Sequence, residues 1–173
     1  MDRYLAEFLS VSRPADLQLV PAPLSTVIAD AVFLIHPLVS SKGCTVTEEY
    51  SDTRMCRIDA SQMKRVIINI ILNAIEAAHT GGTISIATSD RPDGVACTIR
   101  DDGRGISKDI LPRLFEPYFT TKRSGSGIGL AVSRQIVEQH GGTIDITSRQ
   151  GEWTLVTITL PTLVNDDKDT SSR

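Results

Sequence analysis

The sequence predicts a two-layer α/β sandwich, with a mixed sheet of about five strands covered on one face by three helices. Three observations carry this prediction. Residues 59–80 show apolar side chains at helical spacing along a single strong face. Residues 83–88 and 95–100 alternate apolar and polar around Arg91-Pro92-Asp93-Gly94, the pattern of a hairpin. A second alternating pair, residues 143–148 and 153–160, follows a further helical segment at 127–140.

In chain order, residues 2–12 place Leu5, Phe8, Leu9 and Ser12 at helical spacing, and Arg13-Pro14 ends that pattern. This stretch, residues 1–14, reads as the tail of a longer helix. Residues 15–23 read as a proline-containing linker. A helix over residues 24–39 follows, with Leu24, Val27, Ile28, Ala31, Leu34 and Ile35 on one side. Residues 44–50 and 54–58 are strand-like, separated by Ser51-Asp52. Asp59 is a good N-cap for the central helix, and Gln62 stands three residues on, as in a capping box. Met63, Val66, Ile67, Ile70, Ile71, Ala74 and Ile75 form its buried face, and Gly81-Gly82 closes it. Residues 101–126 are irregular apart from a helical turn near 107–111, and loops of that length are commonly functional lids. Gly141-Gly142 ends the last helix. The catalytic or binding domain is expected over residues 24–162, with residues 163–173 a polar tail.

Composition excludes several classes. A net charge of −3 gives no positive field for nucleic acid or an anionic membrane. Three cysteines, Cys44, Cys56 and Cys97, lack metal-ligand spacing and read as reduced thiols of a cytoplasmic protein. No apolar run approaches the length of a membrane span.

Four features carry chemistry. Asn69 and Asn73 are four apart on the central helix, so their carboxamides share a face. An amide oxygen suits magnesium, although such amides equally cap backbone or face solvent. Asp101-Asp102-Gly103-Arg104-Gly105-Ile106 follows a strand. A carboxylate there can accept from an exocyclic amine, and the glycines allow close backbone approach; a plain turn has the same residues. Residues 114–122, Leu-Phe-Glu-Pro-Tyr-Phe-Thr-Thr-Lys, read as a lid with aromatic anchors, among them Phe119. Thr120 and Thr121 offer hydroxyls, and Lys122 and Arg123 can reach phosphates. Gly125-Ser126-Gly127-Ile128-Gly129-Leu130 opens a helix, whose free N–H groups favour an anion. It is neither a Walker A loop nor a dinucleotide fingerprint, and alone it could be a hinge.

Together, in this order and spacing, these features resemble the ATP-binding boxes of sensor histidine kinases, over about residues 55–161. Ile136-Val137-Glu138-Gln139-His140-Gly141-Gly142 is similar to the family's text after its last glycine box. The Phe-Thr-Thr-Lys lid looks most like the nitrogen-regulation and sporulation-kinase branch. The resemblance implies the Bergerat-type fold of the GHKL, or HATPase, superfamily. It implies ATP and Mg²⁺ as ligands, with Asn73 on the metal and Asn69 supporting it. Asp101 would read the adenine amine, with Gly103, Gly105 and Ile106 beside the ring and Thr154 assisting. Phe119, Thr121 and Lys122 would close over the nucleotide. Ser126, Gly127, Ile128, Gly129 and Leu130 would form the helix start over the phosphates.

The resemblance implies transfer of the ATP γ-phosphoryl group to a histidine on a dimerisation domain outside this sequence, so the chain alone is expected to be inactive in autophosphorylation. Partners implied are that acceptor domain and a response-regulator receiver domain, with no nucleic acid. The full-length kinase would be a homodimer, cytoplasmic or membrane-anchored. Related ATPases place a Glu four residues before the magnesium Asn; Asn69 stands there, implying poor hydrolysis. His36, His79 and His140 lack the acceptor motif, and the ring of His140, at a helix C-terminus, is expected to be partly positive. Two departures stand out: Trp153 replaces a glycine beside Thr154, and Glu76 and Ala77 stand where relatives often carry a basic or aromatic residue. The alternative is a non-catalytic nucleotide-binding regulatory module of the same superfamily.

Overall fold

A computed structural model describes residues 17–122 and 125–163. The expected N-terminal helix tail, the polar tail and Arg123 lie outside the described residues. The elements run β1 (Val20–Pro23), α1 (Leu24–Ser41), β2 (Thr45–Ser51), β3 (Met55–Ile58) and α2 (Ala60–Ala77). They continue through β4 (Thr83–Arg91), β5 (Gly94–Asp101), a 3₁₀ turn (Leu111–Arg113), α3 (Gly129–Gln139), β6 (Thr143–Arg149) and β7 (Trp153–Leu160). The main sheet has five strands in the order β2-β4-β5-β7-β6. β2 runs parallel to β4, and every other pairing is antiparallel. The sheet is therefore mixed, and the predicted α/β sandwich is what forms.

Period-two alternation decides which face is covered. Ile84 and Ile86 of β4, Cys97 and Ile99 of β5, and Val156 and Ile158 of β7 turn inward and are buried. Against them lies α2, whose Met63, Val66, Ile67, Ile70 and Ile71 are almost wholly inaccessible. α1 and α3 flank α2 on the same face. Burial pushes the Cys97 thiol up to about 12 and the Cys56 thiol to about 11, so both stay protonated core side chains.

Several expectations need correction. Residues 54–58 do not join the main sheet. β3 pairs antiparallel with β1, within the stretch expected to be a linker. Between β2 and β3, the Asp52 carboxylate accepts from the Ser25 N–H of α1 (3.1 Å) and from the Thr88 hydroxyl of β4. Asp52 thus ties the connection after β2 to both the sheet and the start of α1, and the chain beyond it pairs with β1. α1 runs through Pro37 to Ser41, because the proline lies on the exposed side, where water can meet the carbonyl that its missing N–H leaves unbonded. His36 is thus inside the helix. Leu34 is exposed, and Val32 and Val39 complete the buried stripe instead. This 18-residue helix is also long and apolar enough to cross a membrane, contrary to the sequence expectation. Its seven buried residues join the common core, which identifies it as a core helix.

The capping box at Asp59 is also different. Its carboxylate accepts from the N–H groups of Ser61 (3.0 Å) and Gln62 (3.1 Å), as expected of an N-cap. The reciprocal arm comes from His140 rather than Gln62: the Asp59 N–H donates to Nε2 of His140 at 3.0 Å. Nδ1 of that ring lies 2.7 Å from the Ile136 carbonyl. Nε2 must carry the lone pair and Nδ1 the proton, so His140 is a buried neutral ring and not a partly positive one. α2 ends at Ala77, before Gly81, and α3 begins at Gly129, two residues later than expected. The helical turn of the loop falls at Leu111–Arg113.

Candidate functional site

Two cavities flank Asn73. The first, of about 450 Å³, opens between α2, the strands β5, β6 and β7, and the loop after β5. Its walls are apolar: Ile70 and Ala74 of α2, Ile99 of β5, Ile146 of β6 and Val156 of β7. Asp101 is its buried acid, with only 4% of its surface exposed. The β5–β7 ladder sets Asp101 opposite Thr154. Burial raises the Asp101 carboxyl above the ordinary carboxylate range. The Gly103 N–H, at 3.0 Å from Oδ1, pulls it part of the way back.

Thr154 belongs to a short polar chain. Its hydroxyl is 3.2 Å from that of Ser148, which accepts from the Ile106 N–H (2.8 Å) and donates to the Trp153 carbonyl (2.6 Å). Trp153 does not displace Thr154, because adjacent strand residues point to opposite faces. The Trp153 ring sits instead against the Arg100 guanidinium, 5.7 Å from its centroid.

Two glycines hold the loop after β5 in place. A Cβ on Gly103 would stand 2.2 Å from the Ala77 carbonyl oxygen, and one on Gly105 2.1 Å from that of Arg149. Gly105 also has φ +59°, in the left-handed region. The close approach these glycines allow is to backbone. Gly105 and Ile106 line the cavity, whereas Gly103 lies behind its wall and orients Asp101.

The second cavity, of about 560 Å³, lies between α2, the loop and the start of α3. Asn69, Asn73, Glu76, Phe119, Thr120, Thr121, Lys122, Ser126, Gly127, Ile128, Gly129 and Leu130 all line it. The expected Asn pair divides its work. Asn69 donates from Nδ2 to the Ser133 hydroxyl (3.0 Å), and its Oδ1 lies 2.6 Å from where a Cβ on Gly129 would be. Asn69 therefore braces the start of α3. Asn73 Oδ1 accepts from the Lys122 ammonium at 2.7 Å, and the same ammonium pairs with the Glu76 carboxylate.

Among the described residues no side chain caps α3, which leaves the N–H groups of its first turn open. Ser126 is near this end, where its hydroxyl accepts from the Ile128 N–H at 3.4 Å. The loop reaches the glycines through a strained turn. Tyr118 has φ 68°, and its N–H donates to the Gly127 carbonyl at 2.9 Å. Two arginines stack on the loop aromatics: Arg113 lies 4.3 Å from the Phe119 centroid and Arg134 5.3 Å from that of Phe115.

Ser133 and Ser148 were not singled out from sequence, and Glu76 was noted only as a departure from the family pattern. Glu76 shares a helix face with Asn73 at i+3, a readable signal. Ser148, in an edge strand, carries none.

An acid at the end of an apolar slot, an amide oxygen beside a cation and an uncapped helix start can together receive a base, a cation and an anion. The chain matches the family model for histidine kinase-, DNA gyrase B- and HSP90-like ATPases over residues 58–164. It belongs to that family. Among curated proteins it is similar to the sensor histidine kinase ZraS of Escherichia coli strain K12, 37% identical over 93% of this chain and 35% of ZraS. It is also similar to sporulation kinase E of Bacillus subtilis strain 168, 32% identical over 97% of this chain and 23% of that kinase. The chain thus spans about a third or less of the length of these relatives. Among solved structures it matches the nucleotide-free catalytic domain of histidine kinase ThkA, with TM-score 0.77 and 27% identity over 84% of this chain and 97% of that one. It also matches ThkA in complex with the response regulator TrrA, with TM-score 0.78 and 25% identity over 93% of this chain and 47% of that one. Within this ATPase family the chain is an ATP-binding catalytic domain of the sensor-histidine-kinase type.

Proposed function

We propose that this domain is the phosphate-donor half of a histidine autokinase: it binds Mg–ATP and presents the γ-phosphoryl group to a histidine on a separate acceptor domain. The observation that carries this reading is the pair of cavities meeting at Asn73. The apolar slot ending at Asp101 suits an adenine, whose exocyclic amine would donate to the carboxylate. The neighbouring cavity, with the open amides of α3 and the Lys122 ammonium, suits a triphosphate.

The residues present fit a magnesium ion. Asn73 Oδ1 is a hard oxygen that already accepts from a cation, the Lys122 ammonium, so the position favours positive charge. When bound there, magnesium would neutralise phosphate charge. The protein's own part is positioning. Asp101 and Thr154 orient the base, Ile106 walls the slot, and Gly129 and Leu130 bring backbone N–H groups to the phosphates. Asn69 is an amide engaged with Ser133, so it offers no base to activate water. Transfer to a well-placed nucleophile is favoured over hydrolysis. The acceptor domain would belong to the same protein, a cytoplasmic or membrane-anchored homodimer, and a response regulator would receive the phosphoryl group next. The sensor histidine kinase ZraS and sporulation kinase E, both longer than this chain, support that reading.

The test is to join the domain to a dimerisation segment carrying the histidine and follow transfer of γ-labelled phosphate from ATP. Acid-labile, alkali-stable label on the histidine is the expected result. Bound ATP with no transfer would replace this reading by a regulatory nucleotide-binding module. Rapid turnover of ATP by the isolated domain would contradict the role given to Asn69.

A further inference from the structure

We infer that Glu76 is a positioning residue of the lid, holding Lys122 on Asn73 until the divalent cation of the nucleotide takes the ammonium's place. This rests on the Mg–ATP reading above and adds a residue and a dependence that the reading does not contain.

Glu76 lies one helical turn beyond Asn73 on α2, so both side chains face the same side. Their oxygens converge on one cation: Lys122 Nζ is 2.7 Å from Asn73 Oδ1 and is ion-paired with Glu76. A neutral carboxamide has little hold on a flexible lysine side chain. The carboxylate supplies the charge that keeps the ammonium there. Exposure matters too: 55% of the Glu76 side chain and 33% of that of Lys122 reach solvent, so the bond is weak enough to exchange.

Position decides what that exchange would do. Asn73 and Lys122 line both cavities, so their contact stands on the boundary between the slot at Asp101 and the space at Gly129. A nucleotide spanning the two has to cross this point, and Lys122 has to leave it. Once Lys122 leaves, Glu76 is a bare carboxylate beside the incoming phosphates. Without a divalent cation the two repel. With one, Asn73 and Glu76 face positive charge again and Lys122 is free to turn to the phosphates. Glu76 thereby makes nucleotide binding more dependent on the cation than a neutral residue would, by about tenfold for one unit charge at the edge of such a site.

The experiment measures binding of a non-hydrolysable ATP analogue by calorimetry, in magnesium and in chelator, for the wild type, Glu76→Gln and Glu76→Asp. Amide exchange of the nucleotide-free proteins is recorded alongside. The expected result is that Glu76→Gln binds the analogue about tenfold more tightly than wild type in chelator, so that its ratio of affinities with and without magnesium falls. Glu76→Asp should keep most of the wild-type ratio. Exchange at Thr121 and Lys122 should be faster in Glu76→Gln before nucleotide is added. A ratio equal to wild type, or unchanged exchange in the lid, overturns the inference while leaving the nucleotide site standing. Failure of the wild type to bind the analogue in either condition removes the nucleotide reading itself and this inference with it.

Discussion

The two cavities on either side of Asn73 are built by different means. The one at Asp101 is a product of regular structure. Its acid is set opposite Thr154 by a strand ladder, its walls are β5, β6, β7 and α2, and its loop is locked by backbone contacts at Gly103 and Gly105. The one at Gly129 is bordered by a loop that reaches α2 through the partly exposed ammonium of Lys122. The difference separates recognition from closure. The first end rests mainly on the sheet and α2, with Thr121 and Lys122 at its border, whereas the second rests on side chains that can change partners.

Asp101→Asn is the sharpest way to break the first end. A charge-assisted hydrogen bond to a buried carboxylate contributes roughly 1.5–3 kcal/mol, so ATP affinity should fall about ten- to a hundredfold, measured by calorimetry. Stability should move the other way. The folded carboxyl has a raised pKa, so its favourable contribution is present in acid and is lost as pH rises through the folded value. At neutral pH the ionised form is a cost that the amide removes. The unliganded variant should therefore melt at or above the wild-type temperature at pH 7, and the gap should close as pH falls towards 4. A variant that melts well below wild type at pH 7 would show that the charge is compensated.

A glycine pair compares the two ends directly. Gly105→Ala forces a Cβ against the Arg149 carbonyl at φ +59°, within the locked loop, and should cost about 2–3 kcal/mol of global stability. Gly127→Ala makes a similar clash with Tyr118 at φ +69°, but in the loosely tied lid. There the strain can be relieved by opening, and the cost should be nearer 1 kcal/mol, with loss of nucleotide affinity. Equal losses of stability in denaturant titrations would mean that the lid is as firmly built as the sheet. The smallest effect is expected from Ser133→Ala, which removes the partner of Asn69 Nδ2: roughly 1 kcal/mol of stability with adenine binding intact.

How much of this was readable follows from sequence distance. Asp101, Gly105 and Ile106 form one local motif at a strand end, so their place could be read directly, and Thr154 follows once β7 is paired with β5. The helix periodicity of α2 was strong enough to name its buried face residue by residue. The partner of a short strand is another matter. Nothing in residues 54–58 says whether they pair with β2 or with β1; the pairing with β1 is a tertiary outcome, set beside an Asp52 that bridges Ser25 of α1 and Thr88 of β4. The roles of Asn69 and Glu76 were hidden in the same way. Their partners, Ser133 and Lys122, come from a helix and a loop brought alongside only by tertiary packing. The misread charge of His140 has that cause too, since the N–H that fixes its tautomer is 81 residues away.

Asp59 joins more of the molecule than an N-cap requires. Its carboxylate takes the Gln18 N–H at 3.1 Å as well as two N–H groups of α2, and its own N–H is held by His140 at the far end of α3. Those hydrogen bonds keep its carboxyl below the ordinary range in spite of burial, so the junction stays charged until pH falls well into the acid range. Mechanically, the junction is a fulcrum. The chain entering at Gln18, the helix that carries Asn73 and the helix that starts at Gly129 are hinged on one residue. A displacement of the segment at Gln18 would act on the start of α2 and the end of α3 together, at the ends remote from Asn73 and Gly129.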